Sequence, residues 1–430
     1  MVYTLLVLLA LPVASLVVWW RGLSEREYWR GWRERFGLGA PLAGAGRGLW
    51  LHAVSVGEVQ AAASLVAALR REWPELPLGV TSATPAGRTR ARAAYAEGID
   101  ARYAPYDMPW CARAALRRLR PALLVVMETE LWPNLLNECT RERVPVLIIS
   151  ARLSSRSVAR WSRFRTLLQP ALQTNVTVAA QSSQDAERFI SLGVPATRVR
   201  VCGNIKFDRV PAATVRAAGA SLRERYAAAR PLWVAGSTHA GEEQAALEAH
   251  ALVQAAQPAA LLVLAPRHRP RFDEVAKLLE VRGVRWLRHS EVAADPAGAN
   301  AGGARIEVLL LDTIGELENF YAAADVAFVG GSLLPIGGHN LLEPAALGVP
   351  TLAGPAQGNA PDVARLLSEN GALRLVHDAA SLGATVVELL GDPAARKQMA
   401  EAAEATLEAN RGALDAALAL IRACLAGPAE

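Results

Sequence analysis

Two successive series of short, unbroken apolar runs are separated by stretches with helical spacing. The first series covers residues 49–54, 78–82, 123–127, 144–150 and 176–180, with helical segments such as 59–71 and 155–168 between the runs. Unbroken Leu and β-branched runs, rather than alternating ones, predict strands covered on both faces. Alternation of such runs with helices predicts parallel sheets joined by right-handed crossovers. An Ala- and Arg-rich segment, 211–230, reads as a linker leading into a helix, and the pattern then restarts at 232–235, 260–265, 308–311, 326–329 and 350–353. A chain of 430 residues has room for two such domains, each with its own core. The Ala/Gly stretch 293–304 reads as a surface loop, and residues 393 to the end have helical periodicity. The expected fold class is therefore α/β, with two doubly wound domains that bind ligands at the carboxyl ends of their strands.

Residues 2–20 are apolar apart from Thr4 and Ser15. As a helix they extend ~28 Å, close to the hydrocarbon thickness of a bilayer. The segment has no basic leader and no small-residue cleavage site, which argues against a removed signal peptide. Trp19 and Trp20 stand where an interfacial aromatic anchor would, and Arg21, Arg30, Arg33 and Arg35 follow. The positive-inside rule then puts the rest of the chain in the cytoplasm. A spanning helix and a helix lying in the membrane plane have the same signature here.

The four cysteines, Cys111, Cys139, Cys202 and Cys424, are far apart and form no CxxC pair. That argues against a disulfide scaffold or zinc ribbon and suits a reducing compartment. The net charge of +5 comes almost entirely from Arg; Lys occurs only at 206, 277 and 397. Coding bias accounts for this, and so does an anionic partner.

The chemistry-bearing residues cluster where strands hand over to helices. In His52–Glu58, Gly57 allows a tight turn and Glu58 falls in the first helical turn. The helix dipole would lower its pKa and desolvation would raise it toward a general-base value, while a plain capping role also fits. In Met127–Asn134, Glu128 and Glu130 share one face if the strand continues, as catalytic carboxylates or as partners for nearby Arg. Lys206, in Gly203–Asp208, is a compact ammonium in an Arg-using chain and suits stabilisation of a developing negative charge. In Gly236–Glu243, Ser237 and Thr238 suit an N-cap and Glu242 with Glu243 the first turn, while His239 and the small residues leave room for a phosphate. In Ala265–Arg271 a cationic rim includes Arg267, which can grip a phosphate or carboxylate bidentately. The Gly-rich stretch Gly330–Pro344 follows an apolar run and enters a helix. It predicts backbone N–H groups open to an anion, with Glu343 placed to accept from a ribose.

Several signatures are missing. No GK[ST] or GxGxxG occurs, which disfavours a P-loop and a dinucleotide cofactor. No Asp-x-Asp occurs, which disfavours a metal-bridged nucleoside diphosphate, and there is no HExxH, Cys/His cluster or GxSxG elbow. Nucleic-acid binding would need a longer basic stripe with aromatic platforms.

Taken together, the ordered motifs resemble the 3-deoxy-D-manno-octulosonic acid (Kdo) transferase family of lipopolysaccharide biosynthesis. The likeness runs through nearly the whole chain. Its motifs are HAVSVGE, ATPAGR (83–88), YAPYD (103–107), VMETELWPN, ISARLS (149–154), GNIKFD, AGSTHAGEE, APRHRPR, DTIGEL (312–317) and GGSLLPIGGHNLLEP. Ile314 replaces the Met usual in the DT-x-GEL motif. The resemblance implies a GT-B glycosyltransferase in which two Rossmann-like domains face a cleft. It implies a membrane anchor over 1–22, an acceptor-binding domain over 23–208 and a CMP-sugar-binding domain over 209–430, whose last helix is free to pack back on the first. It also implies inverting transfer of Kdo from CMP-Kdo to the lipid A precursor lipid IVA at the inner membrane, with no metal, no cofactor and no nucleic-acid partner. Glu58 would be the base, and Glu128 and Lys206 would stabilise the transition state. Pro266, Arg267, Ile314, Gly315, Glu316, Asn340, Leu341, Leu342 and Glu343 would contact CMP. The rival readings are another GT-B nucleotide-sugar transferase or epimerase, a Rossmann oxidoreductase, or a non-catalytic tethered binding module. The missing GxGxxG opposes the oxidoreductase, and carboxylates clustered at strand ends oppose the binding module.

Overall fold

The computed structural model describes residues 2–44, 46–95, 98–294 and 305–426. The chain divides into two compact units, residues 1–208 with 410–430, and residues 209–409.

The first unit holds seven strands: β1 Gly48–His52, β2 Leu78–Ser82, β3 Ile99–Tyr103, β4 Pro121–Met127, β5 Val146–Ala151, β6 Val176–Ala180 and β7 Val199–Val201. They form one parallel sheet in the order β3-β2-β1-β4-β5-β6-β7. Successive side chains of a strand point to opposite faces, and both faces are covered. Leu49, Leu51 and Val125 pack into one apolar cluster, while Trp50, Leu124 and Val126 pack into the other. The second unit holds β8 Leu232–Thr238, β9 Leu261–Pro266, β10 Trp286–Arg288, β11 Val308–Leu310, β12 Val326–Val329, β13 Thr351–Ala353 and β14 Leu373–Leu375. These are parallel too, in the order β10-β11-β9-β8-β12-β13-β14. In each sheet the first strand lies inside and the chain builds outward on both sides, except that β11 returns between β9 and the edge strand β10. Strand order therefore reverses between β1 and β4, and again between β8 and β12. Ligands in open α/β sheets bind outside the carboxyl ends of the strands at such a reversal.

From residue 410 the described chain groups with the first unit, and the contacts of the second unit end at 409. The helix Ala413–Ala426 presents Ala417, Leu418, Leu420 and Ile421 to the cluster that contains Leu49 and Leu51. Its start is fixed by Asp208, whose carboxylate accepts from the Gly412 and Leu414 amides at 2.6 and 2.8 Å. A remote carboxylate thus does the work of a local cap. Asp208→Ala is expected to cost about 1–2 kcal/mol locally, the usual value of an N-cap. Hydrogen exchange should accelerate at the first amides of Ala413–Ala426 before it does in the central strands.

The N-terminal helix runs Val2–Ser24, and Tyr3–Leu23 is long and apolar enough to cross a membrane. It groups with the first unit. Of the expected loop 293–304, residues 295–304 lie outside the described residues, while 293–294 close the helix His289–Ala294.

Candidate functional site

In the first unit the site grows from the reversal between β1 and β4. β1 ends at His52, and Ser55 caps the helix Val56–Ala61 by accepting from the Glu58 amide at 3.2 Å. The Glu58 carboxylate folds back, accepting from the Val54 amide at 2.7 Å and from Ser55 Oγ at 3.0 Å. It is buried, and that burial pushes its pKa up to about 7; the Val54 hydrogen bond opposes the rise, while Glu130 and Glu128 add to it. Desolvation outweighs the expected dipole effect. Each carboxylate oxygen keeps a second lone pair. Gly57 lies inside the helix, where a Cβ would meet only Ser55 Oγ at 3.8 Å. The turn is therefore made by Ser55 rather than by glycine freedom.

Glu128 follows β4 with φ of 54°. A left-handed backbone at a non-glycine residue is strained and is found preferentially at functional sites. Ser150, in β5, and Ser237, in β8, share the feature, with φ of 47° and 56°. Lys206 comes from the far edge of the sheet. After β7 the chain doubles back over the strand ends: the Cys202 and Gly203 amides donate to the Ala180 carbonyl of β6, and the Ile205 amide donates to Ser150 Oγ of β5. The short helical turn Ile205–Asp208 then carries Lys206 Nζ to Glu128 Oε1 at 2.5 Å, with Arg152 Nε at 3.6 Å from Glu128 Oε2. Two residues that the sequence treats as separate stabilisers form one ion pair. Glu130 does not join it; its carboxylate accepts from Trp132 Nε1 at 2.6 Å, and burial raises its pKa.

In the second unit the Gly-rich stretch differs from expectation. The amides of Gly331, Ser332 and Leu333 are not open to an anion: they donate to the Glu242 carboxylate at 2.7, 2.9 and 3.0 Å, and the His239 amide joins at 3.0 Å. Glu242 is fully buried at the start of the helix Glu242–Ala256. The residue before that helix is Gly241; Thr238 belongs to β8, and neither it nor Ser237 is the N-cap. Glu242 is thus the group that shapes the loop, where sequence reasoning assigned it to capping. Gly330 has to be glycine, since a Cβ would lie 2.7 Å from the Ser237 carbonyl.

The loop brings His339 against His239, with Nε2 to Nε2 at 2.8 Å and the rings stacked at 4°. His268 lies edge-on to His239 at 5.3 Å. Burial pushes His339 down to about 4 and lowers His239 and His268. The pair is therefore neutral at pH 7, one ring donating to the other. Arg267 stands exposed beside these rings, following Pro266 at the end of β9. Ile314 is exposed, Gly315 turns with φ of 96°, and Glu316 lies 3.5 Å from His289 Nε2. Asn340 is exposed; its Nδ2 donates to Glu343 Oε1 at 3.1 Å and its Oδ1 accepts from the Leu342 amide at 3.2 Å. The Leu341 and Leu342 side chains are buried, so those two residues can offer a ligand only backbone. The helix that follows, Leu342–Ala346, is barely more than one turn. Burial raises the Glu343 pKa, and Arg209, 3.8 Å away and paired with Glu318 at 2.5 Å, opposes the rise.

Two relatives among curated proteins match over almost the full length. A 3-deoxy-D-manno-octulosonic acid transferase of Haemophilus influenzae is 35% identical over 98% of this chain and 97% of its own length. One of Bordetella pertussis is 37% identical over 96% of each. The chain belongs to the 3-deoxy-D-manno-octulosonic acid transferase family. The family's sequence model, described as 3-Deoxy-D-manno-octulosonic-acid transferase (kdotransferase), matches residues 30–209. Among solved structures, UDP-GlcNAc 2-epimerase of Neisseria meningitidis covers 88% of this chain and 100% of its own, with a TM-score of 0.57 at 14% identity. At that identity the likeness concerns architecture, and it makes this Kdo transferase-family chain a GT-B fold.

Proposed function

We propose that this glycosyltransferase moves Kdo from CMP-Kdo to lipid IVA, the tetraacyl disaccharide-bisphosphate precursor of lipid A, with inversion and without a metal or cofactor. The observation that carries the reading is Glu58: a buried carboxyl, brought to about pH 7 by desolvation, beside the strand reversal of the first unit. A base with that pKa is half ionised at neutral pH and still basic enough to take a hydroxyl proton.

In the proposed step Glu58 removes the proton of the acceptor hydroxyl. The hydroxyl oxygen bonds to the anomeric carbon of Kdo as the bond from that carbon to the phosphate oxygen breaks, and CMP leaves with the electron pair. Positive charge builds on the sugar and negative charge on the phosphate. The Glu128–Lys206 pair carries both signs at one place, and its rigidity follows from the strained backbone at Glu128 and the hydrogen-bonded turn that delivers Lys206. In the second unit Pro266, Arg267, residues 314–316 and residues 340–343 would hold CMP. A single phosphate can be met by the Arg267 guanidinium together with an N–H of the neutral His239–His339 pair. The N-terminal helix would attach the enzyme to the inner membrane, where a lipid-anchored acceptor resides, with the two units in the cytoplasm.

The reading is tested by incubating the protein with CMP-Kdo and lipid IVA and measuring product mass. No Kdo-bearing product would overturn it, and transfer only from a different nucleotide sugar would favour another GT-B transferase. Within this reading Lys206→Met leaves Glu128 with Arg152 at a longer distance and should lower kcat roughly 10–100-fold with little change in KM. Lys206→Arg should restore only part, because a planar guanidinium cannot sit where the ammonium does.

A further inference from the structure

The N-terminal helix has two different sides. Thr4, Val7, Leu11, Ala14 and Val18 are half-buried and Gly22 is buried, at the three- and four-residue spacing of one helical face. Leu5, Leu9, Val13, Leu16 and Trp20 form the opposite face, each between 55% and 66% exposed. That face is less exposed than the opposite one from Thr4 to Gly22, and contacts to the rest of the first unit are made at the two ends of the helix.

Both ends are also tied to the same unit. Tyr3 Oη donates to Asp107 Oδ2 at 2.8 Å and Thr4 Oγ1 to Asn134 Oδ1 at 3.0 Å. The Tyr3 ring meets Phe164 edge-on at 5.6 Å. Asp107 is no accidental partner: it also accepts from the Asn134 and Leu135 amides at the start of the helix Pro133–Arg141. At the other end Trp29 Nε1 donates to the Trp19 carbonyl at 3.1 Å. The segment beyond it is clamped by motifs that the catalytic reading leaves unused. Arg88 pairs with Glu34 at 2.8 Å, the Tyr103 amide donates to the same carboxylate, and the Arg35 guanidinium lies 4.0 Å over the Tyr103 ring.

Charge follows the same pattern. Arg26, Arg30 and Arg33 are exposed just past the carboxyl end of the helix. Arg156, Arg160 and Arg163 are exposed around Trp161 and Phe164, where Tyr3 docks. A helix of 23 residues is ~34 Å long, so a spanning arrangement would carry Tyr3 across the hydrocarbon layer, away from Asp107 and Asn134.

We propose that the N-terminal helix lies parallel to the membrane on the surface of the first unit, its outer apolar strip sunk at the headgroup–acyl boundary of an anionic bilayer and the Arg clusters at both ends meeting lipid headgroups. The proposal rests on membrane attachment as read above and specifies its geometry. An in-plane helix ordinarily needs a polar side for water; in this geometry the less exposed side, which carries Thr4, turns toward the first unit, so an all-apolar sequence suffices.

The experiment uses the full chain with a protease-cleavable tag ahead of Met1, in inside-out and right-side-out vesicles from expressing bacteria. A second form carries Thr4→Cys together with Asn134→Cys. The expected result is tag cleavage only from the face on which the two units are digested, together with a disulfide between the two introduced cysteines, found by mass spectrometry in the membrane fraction. A tag cleaved only from the opposite face shows a span and overturns the in-plane geometry while attachment stands. The in-plane geometry is also overturned if the tag is on the near face but oxidised membranes contain no disulfide between the introduced pair. A chain that fails to sediment with membranes refutes attachment itself.

Discussion

Glu58→Gln is expected to lower kcat for Kdo transfer by about 10²–10⁴-fold, the usual contribution of a positioned general base, while CMP binding to the second unit is unchanged. The substitution keeps shape and most hydrogen bonding: an amide oxygen still accepts from the Val54 amide or Ser55 Oγ, so the helix start survives. The unsubstituted protein carries the matching pH signature. With the Glu58 pKa at about 7, kcat/KM should fall tenfold per pH unit below that value, and the Gln variant should lose this limb. Stability moves the other way. Burial raises this carboxyl from 4.5, so the folded state favours its protonated form. That contribution is complete below pH 4.5 and is lost as pH climbs through about 7. The Gln variant should therefore denature at higher urea than the parent at pH 8, with a smaller gap at pH 4. Turnover within twofold of the parent would remove Glu58 from the role of base.

Glu242→Ala should be the most damaging single change in the second unit. It strips four backbone amides, those of His239, Gly331, Ser332 and Leu333, of their shared acceptor. An unsatisfied buried donor costs about 1–3 kcal/mol, so even with water entering the gap the loop loses its definition. We expect CMP affinity to drop by at least roughly 100-fold, about 3 kcal/mol by the usual conversion, with the thermal transition of the unit lowered as well. Glu242→Gln keeps one acceptor oxygen and should lie between. Isothermal titration with CMP, alongside circular dichroism to confirm folding, separates loop damage from unfolding. Undiminished CMP affinity in folded Glu242→Ala would show that the loop holds its shape without the carboxylate.

The central strands were readable because each is a run of Leu and β-branched residues buried on both faces. Four strands carry no such signal: β3, β7, β10 and β14. They are the four sheet edges. Ile99–Tyr103 contains Asp and Arg, and the other three are only three residues long. An edge strand is half solvated and short, so it needs no apolar run and leaves none to find. Glu58, Glu128 and the Gly-rich stretch were visible for the converse reason, since acidic or glycine-rich chemistry directly after an apolar strand has to sit at its carboxyl end. Glu242 was hidden by a simpler explanation. Its spacing fits a capping residue, and only the folded chain shows the loop 89–91 residues downstream that it holds.

What the sequence alone determined is the architecture and the list of chemical groups, because burial imposes a local period on every central element and the motifs sit at fixed offsets from those elements. What the tertiary structure decided is who meets whom. Lys206 reaches Glu128 from 78 residues away, Asp208 caps a helix that begins beyond residue 409, and Tyr3 finds Asp107 across 104 residues. Partnerships of that range follow from the winding order of the sheet and the return of the chain over its strand ends, and no local pattern of residues encodes either.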